Sequence, residues 1–523
     1  MFKTMDYLDQ PFIKFVYNQK RIFMQSNSIP LLDFIRTQFM IDNEKRKYIV
    51  NKKYIPEKLC PISELYSFMP GLFYDIVESI KKNFPDVKII WNDIKHVVQP
   101  SPISNVSLIQ PENTKFIYRD YQEDVIHKGL LYGRGCFDMA TASGKSLMIY
   151  GLIKNSIQYR NFKSFMIVVP NIQLVHQFEK DIREYGFTGS ICKYSADCET
   201  FYQNEDIIIT NIQFLVRQPI VQSMDCIILD EVHGFSNQNK IYHVIDRMHC
   251  HSIYGFTGSM PAENELEKLW HLKGLTGKIL QIKKSKEFQT KGILPKCQLT
   301  VFELEHTCPQ PPVDHKYNIK VYEMNEQYQK EKTEKNELLL IDAKKERAKA
   351  RFPAEWHFIE QHQKTNQIIA YVCHKLEGNV ILLFDHIEHG TYLFEQITQK
   401  NDKNKLLYYI DGKIDVELRE DARQLIENND NCIIVANTKC FSVGINMKNI
   451  EHIVFAFSSG KAAAKILQSI GRGLRPKDGK DFIKIYDFYH NFKYSTAHYE
   501  ERKELYNQNY IIDKQVNKTI KVD

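Results

Sequence analysis

Met139-Ala140-Thr141-Ala142-Ser143-Gly144-Lys145-Ser146 is the stretch on which the fold turns. A short apolar run with Cys136 and Phe137 leads into it, and Leu147-Met148-Ile149-Tyr150 leads out as a helix. Small residues followed by Gly-Lys-Ser at a helix start make an anion cradle. Backbone N–H groups and the positive end of the helix dipole converge there. In this reading Lys145 reaches outer phosphates and the Ser146 hydroxyl holds Mg²⁺. The first loop position, commonly glycine, is Met139, so the match to the full pattern is partial. An ordinary polar helix N-terminus is the competing reading, and the rest of the chain weakens it.

Downstream, apolar runs end one after another in polar clusters. Phe165-Met166-Ile167-Val168-Val169 ends at Pro170-Asn171, and Ile207-Ile208-Ile209 ends at Thr210-Asn211. Cys226-Ile227-Ile228-Leu229 ends at Asp230-Glu231-Val232-His233, and Ser252 to Phe256 ends at Thr257-Gly258-Ser259. Apolar strands alternating with helical stretches predict a parallel sheet covered on both faces. Ligands bind at the carboxyl ends of such strands, where each polar cluster falls. Asp230, ending a buried strand, suits Mg²⁺ beside Ser146, and Glu231 suits a carboxylate that orients or deprotonates water. An acidic helix cap is the plainer reading, disfavoured by the loop upstream. Some twenty residues before the loop, Tyr118-Arg119-Asp120-Tyr121-Gln122 supplies a side chain with both a donor and an acceptor, as reading an adenine edge requires.

A second alternation begins near Leu294. It runs through Gln298 to Leu304, then a charged helical stretch at about 317–350 whose alternating Glu and Lys read as a solvated face. Strands follow at 380–384, ending at Asp385-His386, at 406–410, at 432–436, ending at Asn437-Thr438, and at 453–456. Two further clusters lie among them, Thr438 to Asn446 and Gln468-Ser469-Ile470-Gly471-Arg472-Gly473-Leu474-Arg475. Arg472 and Arg475 stand three apart on one side of a helical turn, and planar guanidinium groups suit developing phosphate charge. Surface ion pairing is the default for an isolated pair of arginines.

The 523 residues exceed one hydrophobic core and predict about three domains. Hydrophobic content of 43% with 26% charged residues is that of a globular protein, and a net charge of +6 permits a polyanionic partner without demanding one. The eleven cysteines form no C-x-x-C pair, so they read as reduced thiols, neither a disulfide framework nor a zinc site. His249-Cys250-His251 reads as a half-buried strand end, because neighbours on a strand face opposite ways. No signal peptide and no membrane-spanning run stand out. Residues 1–98 mix aromatic and basic side chains, as in Lys14 to Tyr17 and Lys20 to Phe23. That pattern fits either a nucleic-acid surface or a small α+β domain with a charged face. Expected boundaries are 1–98 for this accessory domain, 99–114 for a linker, 115–290 and 291–490 for the two sheet domains, and 491–523 for a C-terminal extension.

The clusters, in this order and spacing, resemble the motifs of superfamily 2 helicases and translocases over about Tyr118 to Phe488. Met139–Ser146 is similar to motif I, Asp230–His233 to motif II, Thr257–Ser259 to motif III, Thr438–Asn446 to motif V and Gln468–Arg475 to motif VI. Leu383 to Gly390, Phe441 to Ile445 and Ile470 to Lys477 resemble the recombination and branch-migration helicases of phages in particular. The resemblance implies an α/β architecture of two RecA-like parallel-sheet domains in tandem after a small α+β N-terminal domain, with ATP between the two. It implies catalytic roles for Lys145, Asp230, Glu231, Arg472 and Arg475, and Mg²⁺ held by Ser146 and Asp230. ATP would be bound by Gln122, Ala140, Thr141, Ala142, Ser143, Gly144, Lys145, Ser146, Gly444, Asn446 and Gln468. Pro170, Asn171, Thr210, Asn211, His386 and Thr438 would line the path of a DNA strand, gripping backbone without reading sequence. Asn446 stands where Asp is common, and Thr257-Gly258-Ser259 departs from Ser-Ala-Thr. The expected activity is ATP-driven unwinding or branch migration of forked and recombination-intermediate DNA. Its setting would be the cytoplasm of an infected bacterial host, beside phage replication or recombination proteins and with no membrane partner. RNA unwinding, duplex translocation with a nuclease partner, and a non-catalytic nucleic-acid-binding module are the alternatives.

Overall fold

A computed structural model describes residues 10–18, 20–43, 56–99, 102–194, 205–217, 223–235, 240–261, 263–308, 315–400, 404–411, 424, 427–438, 449–456, 466, 469–471, 473–474 and 479–522. The chain divides into two compact units, residues 1–284 and 285–523.

The first unit opens with a small mixed sheet of β1 (Phe12–Asn18), β2 (Arg21–Ser26), β5 (Ser67–Phe68) and β6 (Lys88–Ile90), in the order β5-β2-β1-β6. β3 (Ile41–Asp42) and β4 (Lys58–Leu59) form a separate two-stranded ribbon. The basic-aromatic interleaving of β1 is largely strand alternation. Ile13 and Phe15 are fully buried, while Lys14 points out and meets Asp93 at 3.5 Å. The basic clusters at 45–48 and 52–54 lie outside the described residues. The helix after Pro70-Gly71 spans Phe73–Asn83 and buries Phe73, Ile76 and Ile80 on one face.

This small domain is seated on the larger sheet that follows it. An added Cβ on Gly71 would lie 1.9 Å from the Lys273 carbonyl oxygen, so the turn abuts the backbone of the helix Leu266–Thr276. Asp75 pairs with Lys273 at 2.7 Å, and Met69 joins the apolar core beneath the large sheet. Lys278 lies over the rings of Tyr132 and Tyr74, 4.2 and 5.1 Å from their centroids.

That sheet has seven strands: β7 (Arg134–Met139), β8 (Phe165–Val169), β9 (Ile191–Tyr194), β10 (Ile207–Asn211), β11 (Ser223–Asp230), β12 (His249–Thr257) and β13 (Ile279–Lys283). Their order is β13-β7-β12-β11-β8-β10-β9, and every pairing is parallel. β8 is buried at all five positions, as an apolar run covered by helices on both faces must be. His249-Cys250-His251 opens β12, as expected of a strand end.

The second unit carries another all-parallel sheet of seven strands. They are β14 (Lys296–Glu305), β15 (Val380–Phe384), β16 (Leu406–Ile410), β17 (Cys432–Asn437), β18 (His452–Phe455), β19 (Phe482–His490) and β20 (Ile512–Lys521). The order is β16-β17-β15-β18-β19-β14-β20. The charged stretch forms two helices, His315–Lys330 and Glu334–Gln361, bridged by Lys320 and Glu346 at 2.6 Å. The chain after His490 is part of this unit. The helix Lys493–Asn509 inserts Arg502 against Asp487, and β20 runs along β14 from Cys297↔Ile512 to Glu305↔Lys521. Its mostly polar sequence suits an edge strand, where alternate side chains face water. No described helix is long and apolar enough to cross a membrane.

Candidate nucleotide site and nucleic-acid contacts

The phosphate loop follows β7 directly. Two of its residues adopt left-handed backbone, Ala142 (φ 66°) and Gly144 (φ 81°), the kind of turn from which anion nests are built. Gly144 caps the helix Lys145–Arg160, and a Cβ there would come within 2.6 Å of Gln122 Nε2. Gln122 is 3% exposed and engaged at both ends. Its Nε2 donates to the Ser143 carbonyl at 3.0 Å, and its Oε1 accepts from the Arg119 N–H at 2.9 Å. The tyrosine beside it, Tyr121, donates to the same Ser143 carbonyl at 2.9 Å. In this structure Gln122 therefore braces the loop with one N–H and one lone pair, and its second N–H and second lone pair are what a base edge would use.

Lys145 Nζ reaches the Met139 carbonyl at 3.5 Å and stands 3.9 Å from Glu231 Oε1. Glu231, the first residue past β11, is itself left-handed (φ 49°), a strain characteristic of functional sites. Its Oε2 accepts from the Thr257 hydroxyl at 3.3 Å, and Thr257 also meets His233 Nδ1 at 2.9 Å. Motifs II and III are thus latched through one hydroxyl. The departure at Gly258 has a steric reason. A Cβ there would sit 3.1 Å from the Met139 carbonyl oxygen and 3.3 Å from the Thr141 nitrogen, so the third motif lies against the loop itself.

Buried polar atoms without partners gather at this end of the sheet: Ser143 Oγ, Asp230 Oδ1, Ser259 Oγ and Asp138 Oδ1. Such groups call for a ligand or water. Burial pushes the Asp230 carboxyl up to about 7, with Glu231 adding to the rise and Lys145 opposing it. A divalent cation held here would supply the compensating charge that this carboxylate lacks. Asp138 is likewise raised by burial, against the pull of Lys284 at 2.6 Å. Hard oxygen donors at Ser146 and Asp230 suit Mg²⁺. No group of three or more His, Cys, Asp or Glu among the described residues forms a ready-made metal cage.

The expected nucleic-acid residues of the first unit fall at the ends of neighbouring strands, Thr210 opposite Val168 and Asn211 opposite Val169. Both asparagines cap helices. Asn171 Oδ1 accepts from the Leu174 N–H at 3.0 Å, and Asn211 Oδ1 from the Phe214 N–H at 2.7 Å. Thr210 is 1% exposed, so its side chain offers a strand little surface. In the second unit His386 is exposed at the end of β15, stacked on Trp356 (4.8 Å) and held by Glu360 at 2.9 Å. Thr438, by contrast, is buried and donates to the Asp385 carboxylate. Gly444, Asn446, Gln468, Arg472 and Arg475 lie outside the described residues. Trp356, Glu360, Tyr121, Asp138 and Tyr185 were not singled out from the sequence. Trp356, Glu360, Asp138 and Tyr185 sit in no recognisable pattern, whereas Tyr121, beside Gln122, and His233, inside the second motif, carried a signal.

The two parallel sheets, with the sequence matches that follow, make this chain a superfamily 2 helicase. Residues 115–262 match the type III restriction enzyme res subunit family, and residues 363–477 match the helicase conserved C-terminal domain. Among particular proteins it is similar to the ATP-dependent DNA helicase uvsW of Enterobacteria phage T4. The two are 25% identical over 402 residues, 75% of this chain and 72% of the relative. The fold is shared with the DNA-bound ATP-dependent Type ISP restriction-modification enzyme LlaBIII. That likeness has a TM-score of 0.51 and 14% identity, covering 86% of this chain and 34% of that one. S. cerevisiae Dbp5 bound to RNA and ADP BeF3 has a TM-score of 0.50 and 11% identity, covering 77% and 91%.

Proposed function

We propose that the chain couples ATP hydrolysis to the unwinding or branch migration of forked and recombination-intermediate DNA. The observation that carries the nucleotide half is the convergence of Lys145, Glu231 and the unpartnered Asp230 Oδ1 beside a loop with left-handed turns at Ala142 and Gly144. Similarity to a helicase named for DNA carries the other half.

In this reading the loop from Ala140 to Gly144 binds phosphate oxygens through its backbone, and Lys145 neutralises the outer phosphates. Ser146 and Asp230 would hold Mg²⁺, which when bound offsets phosphate charge. Glu231 orients a water molecule and takes its proton as the water attacks. Thr257 and His233 keep the Glu231 carboxylate aimed. Arg472 and Arg475 are assigned to the charge that develops on the transferred phosphoryl group. Gly444, Asn446 and Gln468 are assigned to the nucleotide from the second unit's motifs. Pro170, Asn171, His386 and the strand ends near Thr210, Asn211 and Thr438 are assigned to the DNA backbone. Phage replication or recombination proteins are the partners, and the cytoplasm of an infected host the compartment, that this activity implies.

The test is the ATPase rate with no nucleic acid, single-stranded DNA, duplex, a four-way junction and single-stranded RNA, with Lys145→Ala alongside. Stimulation strongest on the junction and lost in the variant supports the proposal. Stimulation by RNA alone moves the protein to RNA remodelling.

A further inference from the structure

We propose that Tyr185 is a positioning residue for the Ser146 hydroxyl, and through it for the Mg²⁺-nucleotide that Ser146 would hold. The inference rests on the nucleotide-site reading of Lys145 and Ser146. The Tyr185 phenol oxygen lies 2.8 Å from Ser146 Oγ. Tyr185 is 8% exposed and fixed on several sides. Phe116 meets its ring edge-on at 4.9 Å, and Tyr150 packs at a tilt at 5.6 Å. Its N–H donates to the Asp181 carbonyl at 2.9 Å, and its own carbonyl accepts from the Asn113 N–H at 3.2 Å. A ring pinned in this way delivers its hydroxyl to one point.

The chemistry gives the bond a direction. A phenol is the stronger O–H donor and an aliphatic hydroxyl the better acceptor, so Tyr185 donates and Ser146 accepts. Ser146 has two lone pairs and one proton. With one lone pair taken, the other lone pair and the proton remain. Those are what a cation and a phosphate or carboxylate oxygen would use. Without Tyr185 the serine is free among its staggered rotamers, and only some of them point its lone pair at the loop.

The same helix face is braced one and two turns on. Tyr150 donates to the Glu112 carboxylate, and Lys154 Nζ pairs with Glu112 at 2.6 Å. Ser146, Tyr150 and Lys154 follow at intervals of four, and therefore line one face. The connecting stretch that holds Glu112 and Asn113 thereby fixes both the nucleotide helix and the tyrosine that aims its serine.

Tyr185→Phe keeps the ring and removes the oxygen. The readout is binding of a fluorescent ATP analogue to the full chain, followed by anisotropy as Mg²⁺ is titrated, so turnover is not involved. Tyr185→Phe is expected to raise the Mg²⁺ needed for half-maximal binding by roughly 3- to 10-fold, the loss of one orienting hydrogen bond. Binding in excess chelator and the melting temperature should stay close to wild type. Ser146→Ala should shift the Mg²⁺ dependence further, and adding Tyr185→Phe to it should do nothing more. An unchanged or tighter Mg²⁺ dependence in Tyr185→Phe, with Ser146→Ala shifted, overturns the positioning role alone. No shift in Ser146→Ala overturns the site reading, and the inference with it.

Discussion

Lys145 Nζ and Glu231 Oε1 stand 3.9 Å apart, each partly shielded from water, with side-chain exposures of 14% and 20%. Lys145 opens the helix that follows β7 and its loop, Glu231 follows β11, and β12 separates those two strands in the sheet. In the proposed mechanism the facing ammonium and carboxylate divide the work: one would attract phosphate, the other activate water. Glu231→Gln keeps shape and hydrogen bonding but removes the base. It should lower phosphate release by about 10²- to 10⁴-fold while leaving nucleotide binding intact. Lys145→Ala should weaken binding itself. Steady-state phosphate release and equilibrium binding on the same preparations separate the two. Full turnover in Glu231→Gln would remove Glu231 from the chemistry.

Much of this sheet was legible because its strands are continuous apolar runs ending in polar clusters, a pattern that burial on both faces imposes. β9, with its polar Lys193 inside Ile191–Tyr194, and β13, only partly buried, lacked that pattern and were not legible. β20 was obscured by its Asn, Lys and Gln content, which an edge strand tolerates and a linear reading takes for a loose tail. In the candidate site, Lys145, Asp230 and Glu231 could be singled out because each sits in a local motif. Tyr185 could not, because its link to Ser146 spans 39 positions and is made by tertiary packing alone. The asparagines at 171 and 211 show the converse: a polar residue after a strand satisfies the next helix whatever else it does.

A pH dependence follows from buried histidines in the second unit. His389 is 4% exposed, and its Nε2 meets Asn366 Oδ1 at 2.9 Å. Burial, with His386 adding, pushes its pKa down to about 4, and Glu360 at 3.9 Å does not reverse this. His490, bonded to His306 at 2.8 Å, is also held far down by burial. A folded-state value below the unfolded one means that the unfolded chain binds more protons. Stability is therefore complete above about 6.5 and falls as pH drops toward 4. For His389 alone the full loss is about 3 kcal/mol. Thermal unfolding between pH 7.5 and 4.5 should show this decline, and His389→Gln should flatten part of it. Equal slopes in the two proteins would exclude His389 as a source.

Arg502 and Asp487 are both fully buried and joined twice, Nε to Oδ2 at 2.9 Å and Nη2 to Oδ1 at 2.8 Å. Tyr506 donates to the same carboxylate at 2.7 Å. Arg502→Met leaves a carboxylate stranded in the interior and should cost about 3–5 kcal/mol in urea unfolding. Asp487→Asn added to it should recover part of that loss, because no unpaired charge then remains. A mild effect of Arg502→Met would show that the helix after His490 contributes little to this sheet.

Gly71 tests how the small domain is seated. A methyl there would lie 1.9 Å from the Lys273 carbonyl oxygen and 2.6 Å from that of Gly274, and backbone atoms cannot swing aside. Gly71→Ala must lift the Pro70–Leu72 turn off the helix Leu266–Thr276, drawing Met69 from the core and straining the Asp75–Lys273 pair. The expected cost is about 2 kcal/mol or more, as for overpacking in a filled core. It should appear as a lower melting temperature and faster proteolytic release of the first hundred or so residues. Gly234→Ala is the control, since a Cβ there meets nothing within 4 Å. If both variants melt as wild type does, the turn is not wedged against that helix, and the small domain is held by its side-chain contacts alone.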